Sequence, residues 1–389
     1  MIRTASRLGE TKEYYFSRKL REVAQINETS EVKIINLGIG SPDLPPHPAV
    51  IETLQNAVIA PDHHGYQSYQ GAAVLRQAFA KWYAKYYQVE LDWQSEVLPL
   101  IGSKEGIMHI AMTFLEKGDE VLVPNPGYPA YEAVSQLTGA ASIFYDLDED
   151  NNWQPNLDKI EAYNLTKVKI MWVNYPNMPT GADASTDFYK RLIAFAKKHN
   201  ILIVNDNPYS FVLNEHPKSI FSIEGAKEVA LELNSLSKSH NMAGWRVGGL
   251  FGRADLLKTI LRFKSNMDSG MFLPVQIAAA KALSLEESWY KQQNDIYAKR
   301  REFAWRIMDL LGAKYDKNGV GLFVWAKVPD EVESVELWLD KILYDAKVFI
   351  TPGFIFGTNG QRYIRISLCG TVEKFEEALK RIEKSLRSD

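Results

Sequence analysis

Between residues 97 and 252 short apolar runs alternate with amphipathic stretches, and that alternation constrains the fold more than any other feature of the chain. Apolar runs of strand length, each followed by a helical stripe, are the pattern of a mostly parallel sheet with crossover helices. The strand candidates are residues 97–101, 120–123, 142–145, 169–174, 201–205, 229–233 and 246–251. Between the first two, Ile107, Ile110, Ala111 and Phe114 make one helix face, which Gly118 should stop. Phe188, Leu192, Phe195 and Ala196 repeat that spacing further on. The last candidate follows its predecessor too closely for a crossover helix. It should be antiparallel or at the edge, where Gly248 and Gly249 are tolerable.

Outside that stretch the pattern changes. Residues 13–27 read as a helix with Tyr15, Leu20, Val23 and Ile26 as its stripe, and 32–37 as a strand running into Gly38-Ile39-Gly40-Ser41-Pro42-Asp43. Two glycines and a proline there mark a tight passage where backbone can approach a ligand. Charged helical segments fill 254–312, residues 321–328 alternate as an antiparallel strand should, and 348–350 and 362–367 are further strands. Thr371 caps a closing helix with Phe375, Leu379, Ile382 and Leu386 inward. A chain of 389 residues exceeds one ordinary core. The expected fold class is therefore α/β, a mostly parallel sheet with crossover helices in a large domain (44–275), plus a smaller α+β domain (1–43 and 276–389).

Charge excludes more than it assigns. A net charge of −3 gives no basic surface for nucleic acid, and no apolar run is long enough to span a membrane. The single Cys369 rules out an internal disulfide and fits a reducing compartment, so the chain reads as cytoplasmic. His47, His63 and His64 sit in polar, Pro-rich context without ligand spacing and read as surface residues, so no metal is expected.

Ligands of an open α/β sheet bind beyond the carboxyl ends of its strands. The first strand delivers Gly102-Ser103-Lys104-Glu105-Gly106 at a helix start, a ready anion site. The second ends in Pro124-Asn125-Pro126-Gly127-Tyr128-Pro129, where prolines stiffen an aromatic platform. The fourth gives Asn174-Tyr175-Pro176-Asn177-Met178-Pro179-Thr180-Gly181. The fifth runs into Asp206, with Tyr209 three residues on; a carboxylate at the end of a buried strand needs a cationic partner. A protonated pyridine ring would be one. The sixth gives Ser235-Leu236-Ser237-Lys238, with Arg246 after it: an amine for a Schiff base, with hydroxyl and guanidinium donors for a phosphate. Each piece alone has an ordinary reading as a turn, a cap or a solvated loop. A phosphate cradle, a ring platform, a pyridinium partner and an imine lysine arriving in chain order make those readings hard to hold together.

With these residues in place, the chain resembles the fold type I pyridoxal-phosphate aminotransferases of class I/II, the aspartate aminotransferase superfamily, from Leu37-Gly38-Ile39-Gly40 to Tyr363-Ile364-Arg365-Ile366-Ser367. The resemblance implies pyridoxal 5′-phosphate as cofactor and Lys238 as the residue that binds it covalently and shuttles the proton. It implies Asp206 at the ring nitrogen, Tyr209 at the ring's phenolic oxygen and Tyr128 stacked on the ring. Ser103, Lys104, Ser235 and Arg246 would hold the phosphate, with Tyr66 of a second subunit. Gly40 would border the substrate and Arg365 would clamp its α-carboxylate. The implied activity is ping-pong transfer of an amino group between an amino acid and a 2-oxo acid, by a homodimer with shared sites. A β-lyase or decarboxylase on the same fold is the alternative within enzymes. A non-catalytic ligand-sensing domain is the one outside, though the intact Lys238 and the absence of a basic winged-helix segment speak against it. One position departs from the family: Met178 stands where an Asn usually precedes Pro-Thr-Gly. Asn177 turning into the site is the expected compensation, ahead of Met178 packing on an apolar substrate.

Overall fold

The computed structural model describes residues 2–8 and 15–387. Helix α1 (Tyr15–Thr29) comes first, with Val23 buried; residue 13, where the sequence pattern starts this helix, lies outside the described residues. The expected strand at 32–37 shrinks to β1 (Ile35–Asn36), because only two residues near the C-terminus pair with it.

The main sheet contains β2 (Val97–Leu100), β3 (Glu120–Asn125), β4 (Ala141–Asp146), β5 (Val168–Asn174), β6 (Leu202–Asp206), β7 (Ala230–Ser235) and β8 (Gly248–Gly252). Its order is β2-β8-β7-β6-β5-β3-β4, and the run from β7 to β4 is parallel throughout. Strand β8 is antiparallel to both neighbours, as its short connection requires, and it lies inside the sheet rather than at its edge. Glycine suits its first position, since a Cβ on Gly248 would stand 2.8 Å from Asn234 O and 2.9 Å from Ser103 N. Arg246, placed in this strand by pattern, instead occupies a left-handed turn just before it, at φ 57°.

Helices cover both faces, as a mostly parallel sheet needs. On one face, α2 (Pro48–Val58) and α3 (Ala73–Tyr87) bury Val50, Leu75, Phe79 and Tyr83. On the other, α4 (Ser103–Phe114) and α5 (Ala130–Thr138) bury Ile107, Ile110, Tyr131 and Val134. Helix α4 ends at Phe114, four residues before Gly118, whose positive φ belongs to the following turn. Helix α6 (Thr186–His199) returns to the first face, with Ser185 Oγ accepting from Phe188 N at 3.0 Å at its start. Helix α7 (Ala254–Lys264) completes the second. Helix α8 (Leu273–Leu283) spans position 275, and Ala278, Ala279 and Ala282 join the first core with α2 and α3.

A second core forms around α9 (Glu287–Leu310) and an antiparallel sheet. Its strands are β9 (Lys314–Tyr315), β10 (Phe323–Lys327), β12 (Thr351–Pro352) and β13 (Tyr363–Ser367), in the order β12-β13-β10-β9. Helix α10 (Val335–Asp345) leads into β11 (Val348–Phe349), which pairs in parallel with β1. The closing helix α11 (Val372–Leu386) is capped by Thr371 and buries Phe375 and Ile382, with Leu379 half-buried. Leu386 does not turn inward: it is 40% exposed, in a last turn that runs past the core. Among the described residues no helix is long and apolar enough to cross a membrane.

Candidate active site

The carboxyl ends of β5, β6 and β7 and the first turn of α4 open onto a cavity of about 390 Å³. Ser103 and Lys104 enter it from α4, and Ser235 from the end of β7. Ser235 Oγ accepts from Ser237 N at 3.1 Å and lies 2.9 Å from Ser237 Oγ, so two hydroxyls stand side by side. Arg246 crosses over to them from its left-handed turn, with its Nη1 donating to Ala243 O at 2.9 Å. Gly102 makes that approach possible: at φ 83°, a Cβ there would sit 2.2 Å from Arg246 Nη2. Hydroxyls, an ammonium, a guanidinium and the N–H groups of a helix start form a concave anion site.

Deeper in, Asp206 ends β6 and is 5% exposed. Its Oδ2 accepts from Tyr131 OH at 2.9 Å, while its Oδ1 has no hydrogen-bond partner among the described residues. Burial drives its pKa up to about 6, against a smaller lowering by the Tyr131 hydroxyl. A buried carboxylate with a vacant oxygen is costly as it stands, and a cationic ring nitrogen would offset that cost. Tyr128 and Tyr209 line the same cavity. Tyr128 meets Tyr131 edge to face at 5.6 Å, and burial raises the phenol pKa of Tyr209.

Lys238 lies on the one-turn helix Leu236–Ser239 that follows β7. Its Nζ donates to Gly40 O at 2.6 Å. Burial lowers its pKa, assisted by the guanidinium charges of Arg365 and Arg246, which favours the neutral amine that attacks carbonyls. Gly40 has no room for a side chain, since a Cβ would be 2.4 Å from the Phe323 ring. Asn36 Oδ1 fixes this loop by accepting from Gly38 N at 2.9 Å and Ile39 N at 3.2 Å. Arg365, buried on β13, donates from Nη2 to Gly38 O at 2.9 Å and from Nη1 to Met178 Sδ at 3.2 Å. Phe323 and Phe356 flank its guanidinium, with ring centroids 4.0 and 4.6 Å from Cζ.

Ten of the eleven residues singled out by sequence thus meet in one cavity; Tyr66 does not. It is 94% exposed in the loop before α3. The expected compensation at position 178 is not what the structure has. Asn177 is held in its own turn, with Oδ1 accepting from Thr180 Oγ1 at 2.8 Å and Nδ2 donating to Asn174 O at 3.2 Å, while Met178 lines the cavity. Sequence reasoning put Asn174 at the end of the fourth strand without giving it a task, and passed over Tyr131, Phe16, Phe323 and Phe356. Tyr131 follows Tyr128 by three residues, so helical spacing could have found it. Behind α4, Glu105, His109 and Asp268 cluster, but Lys264 Nζ donates to both Asp268 oxygens at 2.7 Å and supplies the positive charge there. His47 caps α2, with Nδ1 accepting from Ala49 N at 3.1 Å.

A family model described as aminotransferase class I and II matches residues 32–382. An LL-diaminopimelate aminotransferase of Maridesulfovibrio salexigens is 42% identical over 386 residues, spanning 98% of this chain and 99% of that protein. One from Dehalococcoides mccartyi is 39% identical over 383 residues, spanning 98% of each. The solved structure of BacF from Bacillus subtilis is 37% identical with a TM-score of 0.94, covering 99% of this chain and 98% of that one. A Thermus thermophilus aspartate aminotransferase mutant, 22% identical over 99% of this chain and 100% of that one, shares the fold at a TM-score of 0.91.

Proposed function

The chain belongs to the class I and II aminotransferases and is a pyridoxal-phosphate enzyme moving amino groups between amino acids and 2-oxo acids, and we propose how its residues divide that work. Bound pyridoxal phosphate supplies the electron sink and carries the amino group between the two half-reactions of a ping-pong cycle. One observation carries the assignment of residues: Asp206, with a buried oxygen lacking a partner, lines the same cavity as the Lys238 amine.

In this reading Ser103, Lys104, Ser235 and Arg246 hold the phosphate. Asp206 faces the ring nitrogen, held in place by Tyr131, and keeps it protonated. Tyr209 donates to the phenolic oxygen and Tyr128 covers one face of the ring. Lys238 removes a proton from the substrate Cα and returns it on the other side of the transfer. Arg365 grips the α-carboxylate with its planar fork, while Gly40 leaves space beside it. A second copy of the chain brings Tyr66 to the phosphate. Supporting this, Tyr66 stands fully out of its own cavity, and Ile59, Met267 and Phe272 are also exposed apolar residues. In the same reading the large unit, expected over 44–275, extends through α8 to the start of α9, supported by Trp289 and Tyr290 in the first core. A buried, unpaired Cys369 supports a reducing, cytoplasmic setting. The names of the curated relatives put LL-diaminopimelate among the donors to weigh. Borohydride treatment of the holoenzyme followed by peptide mapping should place the cofactor on Lys238; label on any other lysine overturns the assignment.

A further inference from the structure

Resting on that reading, we infer that the donor's side chain is apolar: the site suits amino acids such as phenylalanine or leucine, not those with a charged far end. The charges lining the cavity are few, and each has a task. Among the described residues its cations are Lys104, Lys238, Arg246 and Arg365, and its carboxylate is Asp206. Two of the cations serve the phosphate, one is the transfer amine and one grips the α-carboxylate. Asp206 lies deep in the cavity at the end of β6, where it serves the ring.

Much of the wall that remains is hydrocarbon and sulfur. Phe16 and Leu20 of α1, Ile39, Met178 and Phe356 line the cavity, with Phe16, Met178 and Phe356 next to Arg365. Position 178 decides much of this character. With Asn177 held in its turn by Thr180 and Asn174, the amide that would have wetted this wall is withdrawn and a thioether stands in its place. A thioether is a weak acceptor and a good apolar surface. A second carboxylate or ammonium, such as LL-diaminopimelate carries, would lose its hydration against these walls with no further charged partner among the described residues of the cavity.

The test uses the wild-type holoenzyme in two measurements. Titration calorimetry compares 3-phenylpropanoate with glutarate, two unreactive acids that differ at the far end. The donor half-reaction is then followed with L-phenylalanine, L-leucine, L-glutamate or LL-diaminopimelate alone, as loss of the yellow cofactor band. Tighter binding of 3-phenylpropanoate and faster bleaching by the apolar donors, by roughly 10- to 200-fold, are expected. Ile39→Arg should move both preferences towards the charged ligands. Glutarate binding more tightly, or L-glutamate or LL-diaminopimelate bleaching faster than both apolar donors, overturns this inference and leaves transamination standing. Bleaching by no amino acid at all overturns transamination, and the inference with it.

Discussion

At the phosphate end of the cavity the polar groups of this chain arrive on, or just after, the carboxyl end of a strand, with Arg246 alone entering from the turn before β8, whereas the carboxylate end is assembled from segments scattered from residue 16 to residue 365. Ser103, Asp206, Ser235 and Lys238 belong to the first kind, each within a few residues of an apolar run that locates it. Arg365 belongs to the second. It reaches Gly38 O from a strand 327 positions away and lies between rings from β10 and from the loop after β12. One end is fixed by the sheet that makes the fold, which is why the reading proposed above gives it the cofactor common to the family. The other depends on tertiary packing of loops and a terminal helix, where a residue such as Met178 can differ from the family pattern without disturbing the sheet.

If the division is real, variants at the two ends should fail differently. The largest effect belongs to Lys238→Ala, in which turnover should fall about 10⁴-fold while the protein still takes up cofactor through its phosphate and ring contacts. Uptake followed by absorbance during dialysis checks this, and loss of cofactor together with activity would break the comparison. Next is Asp206. Its folded pKa lies above its unfolded one, so the apoprotein should lose stability as pH rises from 3.8 to about 6. The full effect is about 3 kcal/mol, fully present above that window and absent below it. Urea midpoints across this range should flatten in Asp206→Asn and in the cofactor-loaded enzyme.

Arg365→Lys keeps the charge but loses the fork. KM should rise roughly 10- to 100-fold, from about 1.5–3 kcal/mol of lost charge-assisted bonding, with the cofactor spectrum unchanged. A changed spectrum would mean that the two ends are not separable. Tyr66→Phe should have the smallest effect, weakening cofactor retention by about 1.5 kcal/mol. Its sharper use is in mixing at a cofactor concentration too low to fill the Tyr66→Phe site: homodimers of Tyr66→Phe and of Lys238→Ala, allowed to exchange subunits, should regain activity in hybrids that hold one site free of both lesions. No recovery despite exchange shown by native mass spectrometry would count against shared sites.

The same division explains what the sequence disclosed. Strands β2 to β8 were readable to within two residues because buried apolar runs and their glycine and proline stops are local signals. Asp206 and Lys238 were readable because each follows such a run. Phe16, Phe323 and Phe356 were not, since nothing near them in the chain says that they will meet at a guanidinium. The inward choice of Met178 over Asn177 depended on which side chain could satisfy the turn's own donors, and the hydroxyl of Thr180 settled that. The internal place of β8 rested on tertiary packing too, because a short connection dictates direction but not neighbours.

The pairing of β1 with β11 has a consequence for a chain made from one end. Ile35 meets Val348, so the N-terminal strand is synthesised long before its partner. Most of the main sheet can form in that interval, for its strands are complete by Gly252. The loop carrying Gly38 and Gly40 has no fixed position until β11 and β13 exist, since Phe349 and Ser367 hold Leu37 on either side. A nascent or truncated chain ending before residue 348 would therefore carry Lys238 and its phosphate cradle while lacking a substrate wall: the grip on the cofactor matures first in synthesis, and the choice of amino acid last.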